Sequence, residues 1–303
     1  SMSCPNPWFA SFVLALGVVW PVVALSDVPA TLSSTRTVTC PSKAQVIVSR
    51  HRVGSGPIVV VRPAEGGPFP VVYALAGLGE MVRGPKASAA GWVERYGLVQ
   101  AMCAVSSPAL STADFGGLVQ GKQLYSYQQR LKAGFGGLVI VSPGAPRKMG
   151  ARFRKHLFDE VIPWAESSLP VKAGTAFRGI DGISLGGRHA LRLGFSRPDQ
   201  FRSLGTEQAS VKGLWSFVRK AVRDAKPAVQ GPVINLLSSH RDGYRHQIKR
   251  FAGRLRGLGL MVRHYETPGA HNKRFAKGPG AIDMLLFHDS VLNQKAGLPG
   301  APW

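Results

Sequence analysis

Cysteine is scarce in this sequence: three residues, Cys4, Cys40 and Cys103, in a chain of 303. No Cys/His spacing matches that of a zinc site, so no metal is expected. Cys40 and Cys103 would remain as an even pair after loss of the N-terminal segment. They either form a disulfide in an oxidising compartment or stay two unrelated buried thiols, because the sequence does not give the distance between them.

Acidic residues are also few. The chain has 16 Asp and Glu against 38 Lys and Arg, which gives a formal net charge of +22. The basic residues are spread from Arg36 to Lys295, with no run of the kind that forms a binding tail and no basic repeat interleaved with aromatics. A specific nucleic-acid partner is therefore not expected. The charge predicts attraction to an anionic surface or polymer, while the oligomeric state is not indicated.

Only one long apolar run occurs, from Trp8 to Leu25, and it contains Pro21. Ala24 and Ser26 are small residues at the two positions that a signal peptidase recognises, which predicts a signal peptide over residues 1–26 and a secreted or periplasmic protein. The absence of Lys and Arg before the run departs from that pattern. An uncleaved membrane anchor and a buried N-terminal helix are the alternatives.

Residues 27–303 alternate between strand and helix patterns without a composition break, which predicts one α/β domain. Its sheet is expected to be mostly parallel and doubly wound, with helices on both faces. Residues 27–36 are predicted to be an extended linker. Residues 104–135 are predicted either to cover a binding cleft or to form a surface excursion. Strands are predicted at 45–49, 58–62, 71–75, 137–141, 177–182, 233–237 and 260–266, and helices at 153–169, 188–195, 209–226, 244–258 and 281–292.

Gly182-Ile183-Ser184-Leu185-Gly186 joins a short apolar strand to a helix. A Gly-x-Ser-x-Gly motif in that context predicts a nucleophile elbow, a sharp turn that exposes the Ser184 hydroxyl above the sheet. Glycine at positions 182 and 186 removes the Cβ atoms that would clash where strand and helix crowd together. An ordinary strand–turn–helix is the alternative, since a chain with 36 Gly produces such strings by chance.

A serine nucleophile needs a base, and the base needs an orienting carboxylate. Asp242 and His271 follow Ser184 in the chain order of α/β-hydrolases, and each comes just after a predicted strand. Their separation, 271 − 242 = 29 residues, accommodates one helix and one strand. The weaker candidates for the base are His189, His240, His246 and His288. Asp181 lies on the elbow strand, and its burial there would be unusual.

An oxyanion formed at Ser184 would be bound by two backbone N–H groups. One belongs to Leu185, the residue after the nucleophile. The other is expected in the glycine-rich loop that follows the strand at 71–75, with Leu78 as the first choice and Gly77 as the second.

Five segments together resemble a known family. They are YALAGLGE from Tyr73, FRKHLFDEVIPWAESSL from Phe153, GIDGISLGGRHALRLGFSRPDQF from Gly179, SSHRDGY from Ser238 and ETPGAH from Glu266. Their order resembles the esterase D-like branch of the α/β-hydrolases, the putative esterase group with S-formylglutathione hydrolases, feruloyl and acetyl-xylan esterases, enterochelin esterases and mycolyltransferases. The resemblance covers Val71 to Leu292. It implies an α/β-hydrolase fold, a triad of Ser184, Asp242 and His271, and no cofactor.

Two departures from that family concern the cleft. Ala76 stands where relatives often have His, which removes a side chain but keeps the backbone. Asn-Lys-Arg-Phe follows His271 where relatives often have an Asp and a Trp. The resemblance therefore does not imply which side chains form the acyl or leaving-group pocket. The resemblance implies a serine carboxylester hydrolase that acts on a small or polymer-linked ester. The alternatives are an acyltransferase to a sugar or lipid hydroxyl, and a catalytically silent fold that binds an anionic polymer.

Overall fold

A computed structural model describes residues 29–225 and 231–295 of the chain. The predicted signal segment, residues 1–26, lies outside the described residues. Within the described part of the chain, no helix combines the length and the apolar character that crossing a bilayer would require.

The described residues form a nine-stranded sheet with the order β1-β2-β3-β5-β4-β6-β7-β8-β9. Pairing is antiparallel from β1 through β2 and β3 to β5. It is parallel from β5 through β4, β6, β7 and β8 to β9. The predicted mostly parallel sheet is therefore confirmed. The strands are β1 Ala30–Thr39, β2 Gln45–Val53, β3 Gly56–Pro63, β4 Val71–Leu75, β5 Val139–Pro143, β6 Arg178–Gly182, β7 Ser203–Glu207, β8 Val233–Arg241 and β9 Val262–Ala270.

Helices connect the parallel strands, and others follow the last strand, β9. They are α1 Leu78–Met81, α2 Pro85–Glu94, α3 Leu98–Val105, α4 Gly121–Leu131, α5 Ala151–Lys155, α6 Ile162–Ser168, α7 Leu185–Ser196, α8 Trp215–Asp224, α9 Arg245–Gly257, α10 Lys273–Phe275 and α11 Ala281–Leu292. A π-helical segment, His156–Val161, joins α5 to α6, and a second one, Ala276–Gly280, joins α10 to α11. Thr175–Phe177 forms a short 3₁₀ turn before β6.

Each face of the sheet carries its own hydrophobic core. All five residues of β4 are buried; Val71, Tyr73 and Leu75 pack into one cluster, and Val72 and Ala74 into the other. Successive side chains of a strand point to opposite faces, so the two clusters lie on opposite sides of the sheet. Residues of α6 to α9 complete the first cluster, and residues of α2, α3, α4 and α11 complete the second. The helices on both faces agree with the prediction.

Two strands depart from the sequence-based prediction. The segment expected to be an extended linker contains most of β1, an exposed edge strand that pairs with β2 along its length. β7 was not predicted, because Ser-Leu-Gly-Thr-Glu lacks an apolar run. All five of its residues are nevertheless buried between β6 and β8.

A buried polar network explains why β7 tolerates its polar residues. His288 is buried and lies between two partners: Nε2 is 2.8 Å from Asp181 Oδ2, and Nδ1 is 2.7 Å from Ser203 Oγ. The backbone makes room for these groups through glycine, since a Cβ on Gly205 would lie 1.8 Å from Asp181 Oδ2. Burial, and then the nearby Asp181 carboxylate, raises the pKa of Glu207 well above its ordinary value. The unusual Asp181 therefore belongs to the structural core of the elbow strand.

The segment at 104–135 packs beside the chain that follows the β9 strand. Phe115 and Tyr127 are buried in the second hydrophobic cluster, and the Gly116 carbonyl accepts a 2.8 Å hydrogen bond from Arg274 Nε. A Cβ on Gly278 would lie 2.7 Å from the Phe115 backbone, so the two segments are in close contact.

Cys40 and Cys103 form a disulfide across 63 residues. Cys40 directly follows β1, and Cys103 lies in α3, so the bond ties the antiparallel edge of the sheet to a helix of the second face. This settles the choice that the sequence left open.

We expect the disulfide to stabilise the fold. Its loss in a Cys40→Ser/Cys103→Ser variant should lower the free energy of unfolding by about 2–4 kcal/mol, because the unfolded chain regains the entropy of a long open loop. Urea denaturation of both proteins, with and without reductant, measures this. Reductant should destabilise the wild type and leave the variant unaffected. An unchanged urea midpoint in the variant would contradict the expectation.

Candidate active site

The predicted elbow is present at the end of β6. Ser184 lies between β6 and α7 with φ 55° and ψ −112°, a strained conformation for a residue with a Cβ. Glycine is needed on both sides of it. A Cβ on Gly182 would lie 2.3 Å from the Gly186 carbonyl carbon, and a Cβ on Gly186 would lie 2.3 Å from the Leu75 carbonyl oxygen. The close approach of strand and helix therefore depends on the motif's two glycines.

The backbone of Ser184 is held by the neighbouring strand. Its N–H donates to the Glu207 carbonyl oxygen at 2.8 Å, and its own carbonyl oxygen accepts from the Ser210 N–H at 3.3 Å. These two bonds connect the elbow to the carboxyl end of β7. They fix the serine against the strand that the sequence analysis missed.

Asp242 and His271 meet at Ser184. β8 and β9 are adjacent and parallel, so the loops after their carboxyl ends lie together. His271 Nε2 is 3.0 Å from Ser184 Oγ, and His271 Nδ1 is 3.1 Å from Asp242 Oδ1. The structure therefore brings together the three residues that were predicted from chain order and spacing.

The surroundings of the pair fix the imidazole. Asp242 is buried, and its Oδ1 also accepts a 3.0 Å bond from the Tyr244 N–H. The Tyr244 ring stands edge-on to the His271 ring with centroids 5.5 Å apart. A carboxylate at Nδ1 selects the tautomer with its proton on that nitrogen. Nε2 then keeps a lone pair that can accept the Ser184 hydroxyl proton.

Gln208 was not found by sequence reasoning, although it links the site's loops. It is buried and has φ 50°, which is uncommon for a residue other than glycine. Its Nε2 lies 2.6 Å from Ser239 Oγ and 3.2 Å from the Ala270 carbonyl oxygen. A carbonyl can only accept, so Nε2 is correctly placed as the donor. Ser239 in turn accepts the Asp242 N–H at its carbonyl oxygen, 3.0 Å away. Gln208 thus joins the loop of Asp242 to the residue before His271.

Hydrogen bonding in the glycine-rich loop after β4 separates Gly77 from Leu78, the two candidates for the second oxyanion donor. The Gly77 N–H already donates to the Tyr96 hydroxyl at 3.1 Å. Leu78 is the first residue of α1 and Leu185 the first residue of α7, and the N–H of a first helical residue has no acceptor within its helix. The first-turn positions of Leu78 and Leu185 therefore leave their N–H groups available, and their role as oxyanion donors stays a prediction.

Ser184 opens into a cleft of about 470 Å³. Among the residues that the structure describes, one acid lines it: Glu80, which is buried and bound by the Tyr96 hydroxyl and by Arg95 at 3.4 Å. Burial, and then this bond to Glu80, raises the pKa of Tyr96. No residue of 104–135 lines the cleft among the described residues. The lining residues are Gly77, Leu78, Gly79, Glu80, Arg83, Arg95, Tyr96, Ile183, Ser184, Gln208, Tyr244, His271, Asn272, Lys273 and Ala276.

The other histidines considered as a base lie elsewhere. His288 belongs to the buried network described above. His240 and His246 are exposed and do not line the cleft. His189 is buried inside α7, with Nε2 3.2 Å from the Arg147 carbonyl oxygen, and burial lowers its pKa to about 4. His271 is thus the histidine that the structure places at Ser184.

The sheet order, the helices on both faces and the elbow define an α/β-hydrolase. Solved structures with this fold include an S-formylglutathione hydrolase from Agrobacterium tumefaciens, with 17% identity and a TM-score of 0.55 over 86% of this chain and 99% of that one. A fluorophosphonate-binding serine hydrolase from Staphylococcus aureus has 13% identity and a TM-score of 0.56 over 86% and 99%. A ferulic acid esterase from Anaeromyces mucronatus, in complex with ferulic acid, has 16% identity and a TM-score of 0.52 over 87% and 92%.

The sequence also matches a family model. Residues 54–247 match the family described as "Putative esterase", and no curated protein matches the chain significantly. The chain belongs to this family, as its motifs indicated, and its class is that of the carboxylic ester hydrolases.

The lowered pKa of His189 predicts an acid-sensitive fold. Between pH 6.5, the ordinary pKa, and about 4, the unfolded chain binds a proton at this residue that the folded protein does not bind. The free energy of unfolding therefore falls as pH decreases through this window, by up to about 3 kcal/mol. Urea denaturation at about pH 7 and about pH 4.5 should show a smaller loss for His189→Gln than for wild type. The exposed His246→Gln serves as the control and should keep the wild-type slope. Equal slopes for His189→Gln and wild type would contradict the prediction.

Proposed function

We propose that the protein is an exported serine carboxylester hydrolase in which Ser184 is the nucleophile, His271 the general base and Asp242 the residue that orients the base. One observation carries the proposal: the continuous line of contacts from Ser184 Oγ to His271 Nε2, at 3.0 Å, and from His271 Nδ1 to Asp242 Oδ1, at 3.1 Å. Both distances are within the range required for proton transfer between nucleophile and base.

In the first half of the proposed reaction, His271 Nε2 takes the Ser184 proton while Oγ attacks the ester carbonyl carbon. The carbonyl oxygen becomes an oxyanion, and the N–H groups of Leu78 and Leu185 would stabilise it. The C–O bond to the alcohol then breaks, and the imidazolium gives its proton to the departing oxygen. Asp242 stabilises the charged imidazole during these steps and keeps its own charge. The product is an acyl-enzyme ester on Ser184.

In the second half, water replaces the alcohol. His271 takes a proton from the water as its oxygen attacks the acyl carbon, and a second oxyanion forms in the same place. The bond to Ser184 Oγ breaks, Oγ recovers the proton from His271, and the carboxylic acid leaves. Ser184 and His271 take part in every proton transfer of this sequence while Asp242 orients the base, so the chemistry requires no cofactor.

Export is supported by the disulfide between Cys40 and Cys103. Disulfides form and persist in oxidising compartments outside the cytosol. Together with the apolar run at the N-terminus, the bond supports a periplasmic or secreted location for the enzyme.

The first test is labelling with a fluorophosphonate probe, which reacts with activated serines. We expect the probe on Ser184 by peptide mapping, and loss of the label in Ser184→Ala and His271→Ala. Ser184→Ala should lower ester hydrolysis by about 10⁴-fold or more, because the covalent intermediate cannot form.

When the chain is produced with its own leader, the same peptide map should place the exported N-terminus at Asp27.

Ser196→Ala is the matched control, since Ser196 lies at the far end of the same helix and bonds the Leu193 carbonyl oxygen. It should keep both label and activity. Full activity in Ser184→Ala, or no label on folded wild-type protein, would overturn the assignment. An alcohol acceptor added to the assay shows whether the acyl group passes to water or to a hydroxyl.

Gln208→Leu tests how far the triad depends on its loops. The variant keeps approximate side-chain size but loses both bonds of Nε2, so the Asp242 and His271 loops are less firmly held. We expect kcat to fall by about tenfold to a hundredfold with little change in KM. Gln123→Leu is the control, because it removes a comparable bond, from Nε2 to the Glu266 carbonyl oxygen, away from Ser184. Equal kcat values for the two variants would show that Gln208 has no positioning role.

A further inference from the structure

The proposed ester chemistry makes no use of the net charge of +22, and several of the cations line a second groove. A groove of about 350 Å³ runs between the start of α8 and the outer face of α9. We name it the basic groove; its main lining residues are Lys212, Trp215, Gln247, Arg250, Phe251 and Arg254. Three of these six side chains are cationic, and none is acidic.

The two helices beside the basic groove have few acids to balance their cations. α9 carries five Lys and Arg and no Asp or Glu, and α8 carries three Lys and Arg and one Asp. Among the described residues, their salt bridges are limited to Arg245 with Glu266 and to the pairs of Asp224. Lys212, Arg250 and Arg254 therefore have no carboxylate partner in that part of the chain. Their charges remain available to an anionic ligand.

The basic groove and the cleft of Ser184 are lined by neighbouring parts of the chain. Two short segments connect them: Gln208 lines the cleft and Lys212 the groove, while Tyr244 lines the cleft and Gln247 the groove. Cations also occur in the cleft itself. Arg83 and Lys273 are exposed there and form no salt bridge within the described residues. A chain that lies in the groove can therefore extend toward the cleft, and both sites present cations to it.

Two other kinds of anionic partner fit this surface less well. A membrane would require apolar side chains that insert into lipid, and no exposed large hydrophobic residue lies on α8 or α9. Single-stranded nucleic acid would require aromatic faces for stacking, but the Arg254 guanidinium lies over the Trp215 ring, 5.4 Å from its centroid. A polysaccharide needs neither feature. Its hydroxyls can also carry carboxylic esters along the whole chain.

We propose that the basic groove binds an acidic polysaccharide and that the substrate of Ser184 is an ester carried by that polymer. The part that concerns the substrate rests on the proposed function, whereas binding of the polymer does not. Carboxylate groups on the sugar chain would pair with Lys212, Arg250 and Arg254, while an esterified hydroxyl enters the cleft. Because these ion pairs are exposed, binding should weaken strongly as salt increases.

Binding is tested without catalysis, on the full chain with Ser184→Ala and with polygalacturonate as the probe. The groove variant is Lys212→Gln/Arg250→Gln/Arg254→Gln. The control variant is Arg36→Gln/Lys122→Gln/Lys132→Gln, which removes three exposed cations remote from the groove in sequence. Both variants lose the same formal charge. A difference between their Kd values for polygalacturonate therefore shows that the position of the lost charges matters. Thermal unfolding of each variant checks that it is folded.

We expect Kd for polygalacturonate to rise by about tenfold or more in the groove variant, and by less than about twofold in the control. In the Ser184 background, kcat/KM for acetylated polygalacturonate should fall more in the groove variant than kcat/KM for 4-nitrophenyl acetate. The ratio of the two values therefore measures the contribution of the groove to the polymer substrate.

Three binding results would overturn the proposal: no binding of polygalacturonate, equal weakening in the two variants, or tighter binding of single-stranded DNA or anionic vesicles at matched charge. Failure of the proposed function is a separate result. It would appear as wild-type protein that hydrolyses neither ester, and polymer binding by the Ser184→Ala chain could still be measured. Hydrolysis of 4-nitrophenyl acetate with no preference for the polymer would overturn this inference alone.

Discussion

Ser184 can face the cleft only because strand β6 and helix α7 approach more closely than a Cβ atom would allow. The distances of 2.3 Å from hypothetical Cβ atoms on Gly182 and Gly186 show that alanine at either position would push the helix away from the sheet. The serine itself accepts a φ of 55° to complete the turn. This strain is maintained because packing on both faces of the sheet fixes the two elements. The positions of the Ser184 hydroxyl and of the Leu185 N–H both depend on this turn.

Support for the turn comes from β7 and the buried groups beneath it. The Glu207 carbonyl oxygen holds the Ser184 N–H, and the next residue, Gln208, joins the loops that carry Asp242 and His271. Below them, His288 links Asp181 on β6 to Ser203 on β7. Burial, and then the nearby Asp181 carboxylate, raises the pKa of Glu207 in the same region of the interior. The short strand β7, together with Gln208 after it, thus connects the core to Ser184, Asp242 and His271.

The sequence predicted the parts of this arrangement that have local signals. The elbow has a motif, and Asp242 and His271 each follow a strand, so chain order and spacing were sufficient to identify them. β7 and Gln208 have no such signal, because a segment in which four of five residues are polar or small forms a buried strand only when partners distant in sequence satisfy it. Ser203 and His288 are an example: they are 85 residues apart and share a hydrogen bond. β1 was missed for a related reason, since a Ser/Thr-rich exposed segment becomes a strand only through pairing with β2.

The distribution of charge separates the interior from the surface. Six acids are buried among the described residues, namely Glu80, Asp181, Glu207, Asp242, Asp283 and Asp289, whereas only Arg178 and Arg263 are buried among the Lys and Arg there. The chain has only 16 acids, so this arrangement leaves few carboxylates at the surface to balance 38 Lys and Arg. The same acids that organise the elbow, the triad and the oxyanion loop are thereby withdrawn from the exterior. The strongly basic surface near the cleft therefore follows in part from how the active site is supported. At physiological salt, where the Debye length is about 8 Å, attraction of a polyanionic partner to this surface is short-ranged, and it reaches farther only at low salt.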